Sequence, residues 1–369
     1  MRIIRNALLL TFFILSNLSL SAQEQWGKYA HLFTTPNTYV AGQTRSAITI
    51  DGLANEPAWE NAAWTTEFID IQGANMPLPT YPKRIKMLWD ADNLYIFAEL
   101  VEEHIWAYYD KQDMIVYHEN DFEVFIDPDG DTHNYYEFEV NAQNTLFDLF
   151  LDKPYRNGGK PDIEWNAKGF KSAIYLDGTL NDPTDTDKKW CVEMAIPFSS
   201  LSIDGSFIQP KAGDIWKINF SRVQWQTEII DGKYTRKTND DGKLIPEDNW
   251  VWSPQGVINM HFPERWGLIQ FSHEFPKSTH ASFQIPEEEL LAQHLWHVFY
   301  AQRDYQREHK TFCNNLATLG IPANGKENNT SFSLEVNASE KSYTAILTTN
   351  NNLMISIDQD GLIRKHTDK

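Results

Sequence analysis

Cysteine and positive charge are both scarce in this chain. Its 369 residues include 2 cysteines, too few for a disulfide scaffold. Lys and Arg number 32 against 51 Asp and Glu, and the net charge of -19 argues against nucleic acid or an anionic membrane as partner. No Gly-rich phosphate loop, G-x-S-x-G string or cysteine-nucleophile signature stands out. This composition favours an exported protein whose ligand is neutral.

Long apolar runs are scarce as well. The run Ala7–Leu15 is too short to span a bilayer, and it follows the basic residues Arg2 and Arg5. Small residues at Ser19–Ala22 then offer a cleavage site, so residues 1–22 are predicted to be a signal peptide. No later run is long enough for a membrane helix. We therefore expect a secreted or periplasmic protein without a membrane span.

Short β-like runs dominate the central part of the chain, with Gly, Pro and Asn at the breaks. Many such runs predict a mainly β fold, an antiparallel two-sheet β-sandwich over residues 38–272. A short helix is expected at Glu56–Ala62, and residues 23–37 are expected to form a tether. The predicted strands are Ala47–Asp51, Arg84–Trp89, Leu94–Val101, Asp121–Asp127, Tyr135–Gln143, Phe170–Tyr175, Trp190–Ile196, Trp216–Gln224 and Trp266–Phe271.

The pattern changes in residues 286–369. Apolar residues follow a helical spacing over Glu287–Leu319, and Gly320 closes the helix. Alternating segments then return, so a small α+β unit is predicted, with one long helix covering an antiparallel sheet. Cys313 is expected inside that helix and Cys191 inside a strand. Both are predicted to be buried thiols, and the alternative is a single bridge between them.

The most informative segments are DFEVFID (Asp121–Asp127) and YYEFEVNAQ (Tyr135–Gln143). With a period of two and a short polar linker, they predict a hairpin that gathers Glu123, Glu137 and Glu139 on one face. Like charges on neighbouring strands cost stability unless something compensates. A hydroxyl-rich ligand, a bound cation or a basic residue from a third strand would each compensate. The alternative is an ordinary solvated face.

An ordered series of strings resembles carbohydrate-binding module family 9, a β-sandwich family of xylan-degrading systems. The resemblance runs from about Tyr39 to Phe271. In that family a sugar lies between two aromatic rings while polar groups of the sheet hold its hydroxyls. The strings are Ile50–Gly52 with Glu56–Trp59, Lys86–Trp89, Asn93–Ile96, Asn120–Asp127, Phe138–Gln143, Trp190–Pro197, Trp216–Phe220, Trp252–Pro254 and Pro263–Gly267.

The resemblance implies a set of sugar-binding residues. The family's glutamate falls on Glu123 and its asparagine on Asn141. The sequence departs from the family at Tyr117, where members carry Trp, and at Glu139, where an arginine is expected. The second stacking Trp would fall near Met260 or His261. The candidate sugar-binding residues are Tyr117, Glu123, Glu139, Asn141, Gln143, Trp252 and His261.

A metal site is also predicted. Asp127, Asp129 and Asp131 place carboxylates at alternate positions of a tight turn, which suits calcium. The later bidentate Glu of an EF-hand is missing, and the alternative is a solvated acidic turn. The family resemblance implies structural calcium as the cofactor. His294 and His297 have nearly ligand spacing on the predicted helix, but without a third ligand they are interpreted as surface or packing residues.

The leading functional hypothesis is an exported, non-catalytic module that binds polysaccharide or oligosaccharide chains and contributes to extracellular carbohydrate breakdown. One alternative is a glycoside hydrolase that uses the acidic face, because hydrolysis needs two flanking carboxylates. The other alternative is an interaction protein whose sandwich has lost its sugar affinity. In that case the C-terminal unit would dock a protein partner.

Overall fold

The computed structural model describes residues 25–203, 206–207, 209–275 and 283–366. The predicted signal peptide lies outside the described residues. The chain divides into two compact units, one formed by Pro36–Ile285 and one by Pro286–Lys369 together with the segment that ends at Thr35. Among the described residues, no helix has both the length and the apolar character required to cross a membrane.

The Pro36–Ile285 unit is built almost entirely from strands, which confirms the mainly β prediction. Among the described residues of this unit there is one α-helix, α1 (Pro57–Asn61), and it lies within the segment where a short helix was predicted. The strands are β1 (Thr38–Gln43), β2 (Ile69–Asp70), β3 (Lys83–Trp89), β4 (Asn93–Val101), β5 (Asp121–Asp127), β6 (Tyr135–Asn141), β7 (Leu146–Leu151), β8 (Pro161–Asp162), β9 (Lys171–Asp177), β10 (Lys189–Pro197), β11 (Ser202–Ile203), β12 (Ser206–Phe207), β13 (Ile215–Gln224), β14 (Thr227–Ile230), β15 (Lys233–Arg236), β16 (Asp248–Val251) and β17 (Gly267–Ser272).

Thirteen of these strands form one continuous sheet rather than two separate ones. The order is β8-β7-β6-β5-β13-β17-β1-β3-β4-β10-β9, and β16 pairs with both β13 and β2. Strand β1 runs parallel to β17 and to β3, which corrects the prediction of purely antiparallel pairing. One core contains side chains from both halves, such as Met87 and Ile96 of one half and Phe122 and Phe138 of the other. The sheet therefore curls around a shared core.

The predicted strand Ala47–Asp51 does not form, because its backbone is held by a side chain instead of a neighbouring strand. Glu193 on β10 accepts hydrogen bonds from the N–H groups of Asp51 and Gly52 at 2.9 and 3.1 Å, and from the Trp59 indole at 2.9 Å. The alternation of Ile48 and Ile50 reflects their packing against the core cluster of Trp59. The period-two spacing therefore correctly indicated which side of this segment is buried, but it wrongly predicted that the segment is a strand.

The second unit contains α2 (Glu287–His309) and an antiparallel sheet, ordered β18-β19-β20-β21-β22. The helix ends ten residues before Leu319, where it was predicted to end. At Lys310 the backbone turns left-handed (φ 61°). Gln302 then exchanges two hydrogen bonds with the backbone of Cys313, which is a buried free thiol outside the helix. The strands are β18 (Asn324–Glu327), β19 (Thr330–Ala338), β20 (Tyr343–Thr349), β21 (Met354–Asp358) and β22 (Ile363–His366).

Residues 25–35 are not a tether, because they pack on α2. Trp26 is buried, stacks on Phe33 at 4.1 Å between ring centroids and lies 5.1 Å from the ring of His294. The Tyr29 hydroxyl donates a hydrogen bond to Asp304 at 2.7 Å. His297 contacts the same aromatic group, so both histidines are packing residues, which is one of the two roles expected from the sequence.

Candidate functional site

A pocket of about 520 Å³ opens on the face of the sheet opposite the main core. Strands β5, β6 and β7 form its floor, and two loops with short 3-10 turns contribute to its walls. The lining residues fall into an acidic group, an amide group and a larger aromatic and aliphatic group. They are Glu123, Glu137, Glu139, Glu247, Asn249, Asn259, Tyr117, Tyr155, Phe125, Phe147, His261, Met260, Ile71, Ile115, Leu149, Pro161, Ile163, Val223 and Ile258.

The floor of the pocket is the acidic face that the period-two pattern predicted. Glu123 on β5 pairs with Glu139 on β6, and Phe125 pairs with Glu137, so the three glutamates lie together. The core-facing residues of β5, such as Phe122 and Val124, lie on the other side. The alternative of a solvated face is wrong, because the three glutamates are only 5%, 4% and 2% exposed.

Burial changes the protonation of this acidic floor. Desolvation raises the pKa of Glu123 to about 7. Desolvation and the charge of Glu123 raise the pKa of Glu137 to about 8. Burial also raises the pKa of Glu139 well above its usual range, and the neighbouring carboxylates add to this effect. At neutral pH the cluster therefore retains protons that its members share, and its carboxyl groups can both donate and accept hydrogen bonds.

Two half-exposed tyrosine rings stand at the pocket. Tyr117 lies on the 3-10 turn Val116–His118 and is 40% exposed, while Tyr155 lies on the turn Tyr155–Asn157 and is 42% exposed. His261 lies against Tyr155 with 4.4 Å between ring centroids. Burial lowers the pKa of His261 to about 3, so its ring is neutral. The walls thus offer uncharged aromatic surface above a polar floor, which suits a ligand with both hydroxyls and C–H faces.

The turn that carries Tyr155 is anchored by features the sequence pattern did not reveal. Arg156 forms a buried ion pair with Glu264 at 2.7 Å. Gly159 is required next to it, because a Cβ atom there would lie 1.7 Å from the carbonyl oxygen of Lys153. Tyr155 was not a candidate, because a single loop tyrosine has no periodic signal. Glu137 shares the face of Glu123 and could have been included on that basis.

Asn141 is one of two candidate residues that lie in the interior. Its side chain is fully buried, and its amide donates to the Tyr109 carbonyl at 2.9 Å and to Glu119 at 3.1 Å. Its oxygen accepts the backbone N–H groups of Gln143 and Thr145, both at 3.0 Å. All its polar capacity therefore holds the β6–β7 turn and the loop at Tyr109, and Asn141 is not among the residues that line the pocket.

Trp252 is the second interior residue. Only 1% of its surface is exposed, and its ring packs on Phe220 and directly on Gly267. A Cβ atom at Gly267 would lie 2.3 Å from the Trp252 ring, so the ring packs directly on the backbone of β17, and Trp252 does not line the pocket. Gln143 is exposed on the β6–β7 turn and does not line the pocket. Of the predicted residues, the pocket therefore brings together Tyr117, Glu123, Glu139 and His261.

The predicted calcium loop is compatible with a bound ion. Asp127, Asp129 and Asp131 each offer a carboxylate oxygen within 4.8 Å of the others. Both oxygens of Asp127 also accept backbone hydrogen bonds, from Gly130 at 2.9 Å and Thr132 at 2.8 Å. Carboxylate oxygens keep further lone pairs, so these bonds orient Asp127 without preventing coordination.

The Pro36–Ile285 unit is thus a mainly β fold, in which one curled sheet has an aromatic, acidic pocket on its outer face. Residues 50–212 match the model of the family described as "Carbohydrate family 9 binding domain-like". This match confirms the family resemblance indicated by the sequence strings. It includes Tyr117, Tyr155 and the three floor glutamates, and it ends before His261.

Two curated relatives and one solved module are also similar. Endo-1,4-beta-xylanase A of Thermoanaerobacterium saccharolyticum is 27% identical over 188 residues, which cover 48% of this chain and 14% of that protein. Exoglucanase XynX of Acetivibrio thermocellus is 29% identical over 118 residues, covering 32% and 9%. The chain thus matches only a small part of each relative. A family 9 module from Caldicellulosiruptor kristjanssonii, in complex with glucose, gives a TM-score of 0.41 at 15% identity, covering 65% of this chain and 98% of the module.

Proposed function

We propose that the pocket binds a neutral oligosaccharide or polysaccharide chain, and that the protein is a non-catalytic carbohydrate-binding module. The observation that carries the proposal is the combination of two half-exposed tyrosine rings with a buried floor of carboxyl groups. Pyranose rings present C–H faces for the aromatic surface and hydroxyls for the carboxyl groups. The match to family 9 supports the same class of ligand.

The cellular setting belongs to the same proposal. We place the protein in the periplasm or outside the cell, where it would contribute to breakdown of extracellular polysaccharide. The support is the signal-peptide pattern of residues 1–22 and the similarity of one segment to two polysaccharide-degrading enzymes. Polysaccharide retention without turnover would favour the module. Release of reducing sugar would favour the hydrolase instead. If the protein neither retains polysaccharide nor releases sugar from it, a protein-docking role of the C-terminal unit would be favoured.

We expect Tyr117→Ala and Tyr155→Ala each to weaken sugar binding by about 5- to 30-fold, because each removes roughly 1–2 kcal/mol of apolar contact. A panel of xylans and glucans is first screened for retention of the protein. Titration calorimetry then measures the affinity for oligosaccharides of the retained polysaccharide. Tyr175→Ala is the matched control, since Tyr175 is similarly exposed (38%) but does not line the pocket. If both pocket variants bind as tightly as the parent, the sugar site lies elsewhere.

We also propose a structural calcium ion at Asp127, Asp129 and Asp131. An ion bound only by the folded state should raise the free energy of unfolding by about 2.7 kcal/mol at a calcium concentration of 100 Kd. Calorimetric melting with calcium and with chelator measures this difference. It should shrink in the double variant Asp129→Asn/Asp131→Asn. An identical melting temperature with calcium and with chelator would argue against any stabilising ion.

A further inference from the structure

The inner end of the pocket contains more acidic groups than the adjacent cation can balance. Asp121, Glu123 and Glu139 are at most 5% exposed, and one carboxylate oxygen of each lies within 4.8 Å of the other two. Arg222 is the buried cation beside Asp121, yet its guanidinium pairs with Glu102 at 2.5 Å. It also donates to the backbone carbonyl of Asp121 at 2.8 Å and to the side-chain oxygen of Gln224 at 3.2 Å. The three carboxyl groups therefore face one another.

Several polar atoms of this group have no partner. Oδ2 of Asp121, Oε2 of Glu123 and Oε2 of Glu139 make no hydrogen bond to any described residue, although they are buried. Buried polar atoms in native proteins are almost always paired, so each orphaned oxygen needs an explanation. Mutual repulsion would explain acidic groups that avoid one another, but it does not explain why three buried carboxyl groups lie together.

A neutral residue shows the same feature and provides an independent observation. Ser221 on β13 is the cross-strand partner of Glu123, so its side chain lies on the same face of the sheet. The residue is fully buried, and its hydroxyl is close enough to lower the pKa of Glu123. Even so, Oγ has no partner of hydrogen-bonding geometry among the described residues. A buried hydroxyl without a hydrogen-bond partner among the described residues thus lies on the sheet face that carries Glu123 and its neighbouring carboxyl groups.

We infer that Asp121, Glu123, Glu139 and Ser221 bind a calcium ion at the inner end of the pocket, separate from the Asp127 loop. Calcium takes six to eight oxygen ligands at about 2.3–2.6 Å, so ligands on opposite sides of the ion lie roughly 5 Å apart. The oxygen separations in this cluster fall within that limit. Glu123 and Glu139 line the pocket, so the ion enters through it and water completes its coordination.

The test measures calcium alone, so its outcome does not depend on the proposed sugar binding. The full chain is stripped with chelator and titrated with calcium chloride in a calorimeter. The background is Asp129→Asn/Asp131→Asn, which removes the loop site. We expect this background to bind one calcium ion. Glu139→Gln on that background should weaken binding at least tenfold, because calcium affinity depends strongly on the number of charged ligands.

Ser221→Ala is the second test variant, and it preserves every carboxylate. It should weaken calcium binding about three- to tenfold by removing one oxygen ligand. Circular dichroism checks that each variant is folded, and the Ser221 result decides the question if Glu139→Gln does not fold. The inference is overturned if the loop-deficient background binds no calcium. It is equally overturned if Glu139→Gln and Ser221→Ala both bind as tightly as that background.

Discussion

Replacing Arg222 by Met should lower the free energy of unfolding by about 3–5 kcal/mol, because it leaves a buried carboxylate without its partner. The side chains of Arg222 and Glu102 are 0% and 3% exposed, and their charged atoms lie 2.5 Å apart. Arg222 also holds the backbone of β5 through the carbonyl of Asp121. Urea unfolding followed by tryptophan fluorescence measures the difference.

An exposed ion pair provides the control for this prediction. Arg84 pairs with Glu99 at 2.8 Å, but the two side chains are 41% and 18% exposed. Water and salt screen such a pair, so Arg84→Met should cost no more than about 1 kcal/mol. The double variant Arg222→Met/Glu102→Leu should recover much of the stability lost in the single variant, since no buried charge remains unpaired. Equal losses for Arg222→Met and Arg84→Met would show that burial does not govern the first pair.

Asn141→Ala should destabilise the fold by about 2–4 kcal/mol, because buried groups that lose a hydrogen bond cost roughly 1–3 kcal/mol each. The change removes two donated and two accepted hydrogen bonds around the β6–β7 turn. Sugar affinity per folded molecule should stay within about twofold of the parent, as Asn141 does not line the pocket. Chemical unfolding and calorimetric titration are run on the same preparation.

Gln143→Ala is the matched control for Asn141→Ala. Gln143 lies on the same turn with an exposed side chain, so its removal should change the free energy of unfolding by no more than about 0.5 kcal/mol. The opposite result would be informative. A stable Asn141→Ala protein that no longer binds sugar would return Asn141 to the ligand site that the family resemblance implies.

The sequence by itself determined which residues share a face. The alternation in β5 and β6 correctly grouped Glu123, Glu137 and Glu139, because side chains of a strand point to opposite sides regardless of what surrounds it. The ordered strings also predicted the family, which the match over residues 50–212 confirms. Both results depend on residue spacing and short motifs, which can be read from the sequence without knowing which distant segments are in contact.

Only the tertiary structure decided what each face contacts. The buried glutamates share a pocket with Tyr155 and His261, which come from segments distant in sequence, and period-two spacing cannot reveal such neighbours. For the same reason residues 25–35 pack on α2 and Asn141 lies in the interior, although neither contact has a local signal. Burial depends on which distant segments come into contact. Burial in turn desolvates the floor glutamates, which raises their pKa values, and it leaves some of their oxygens without a hydrogen-bond partner among the described residues.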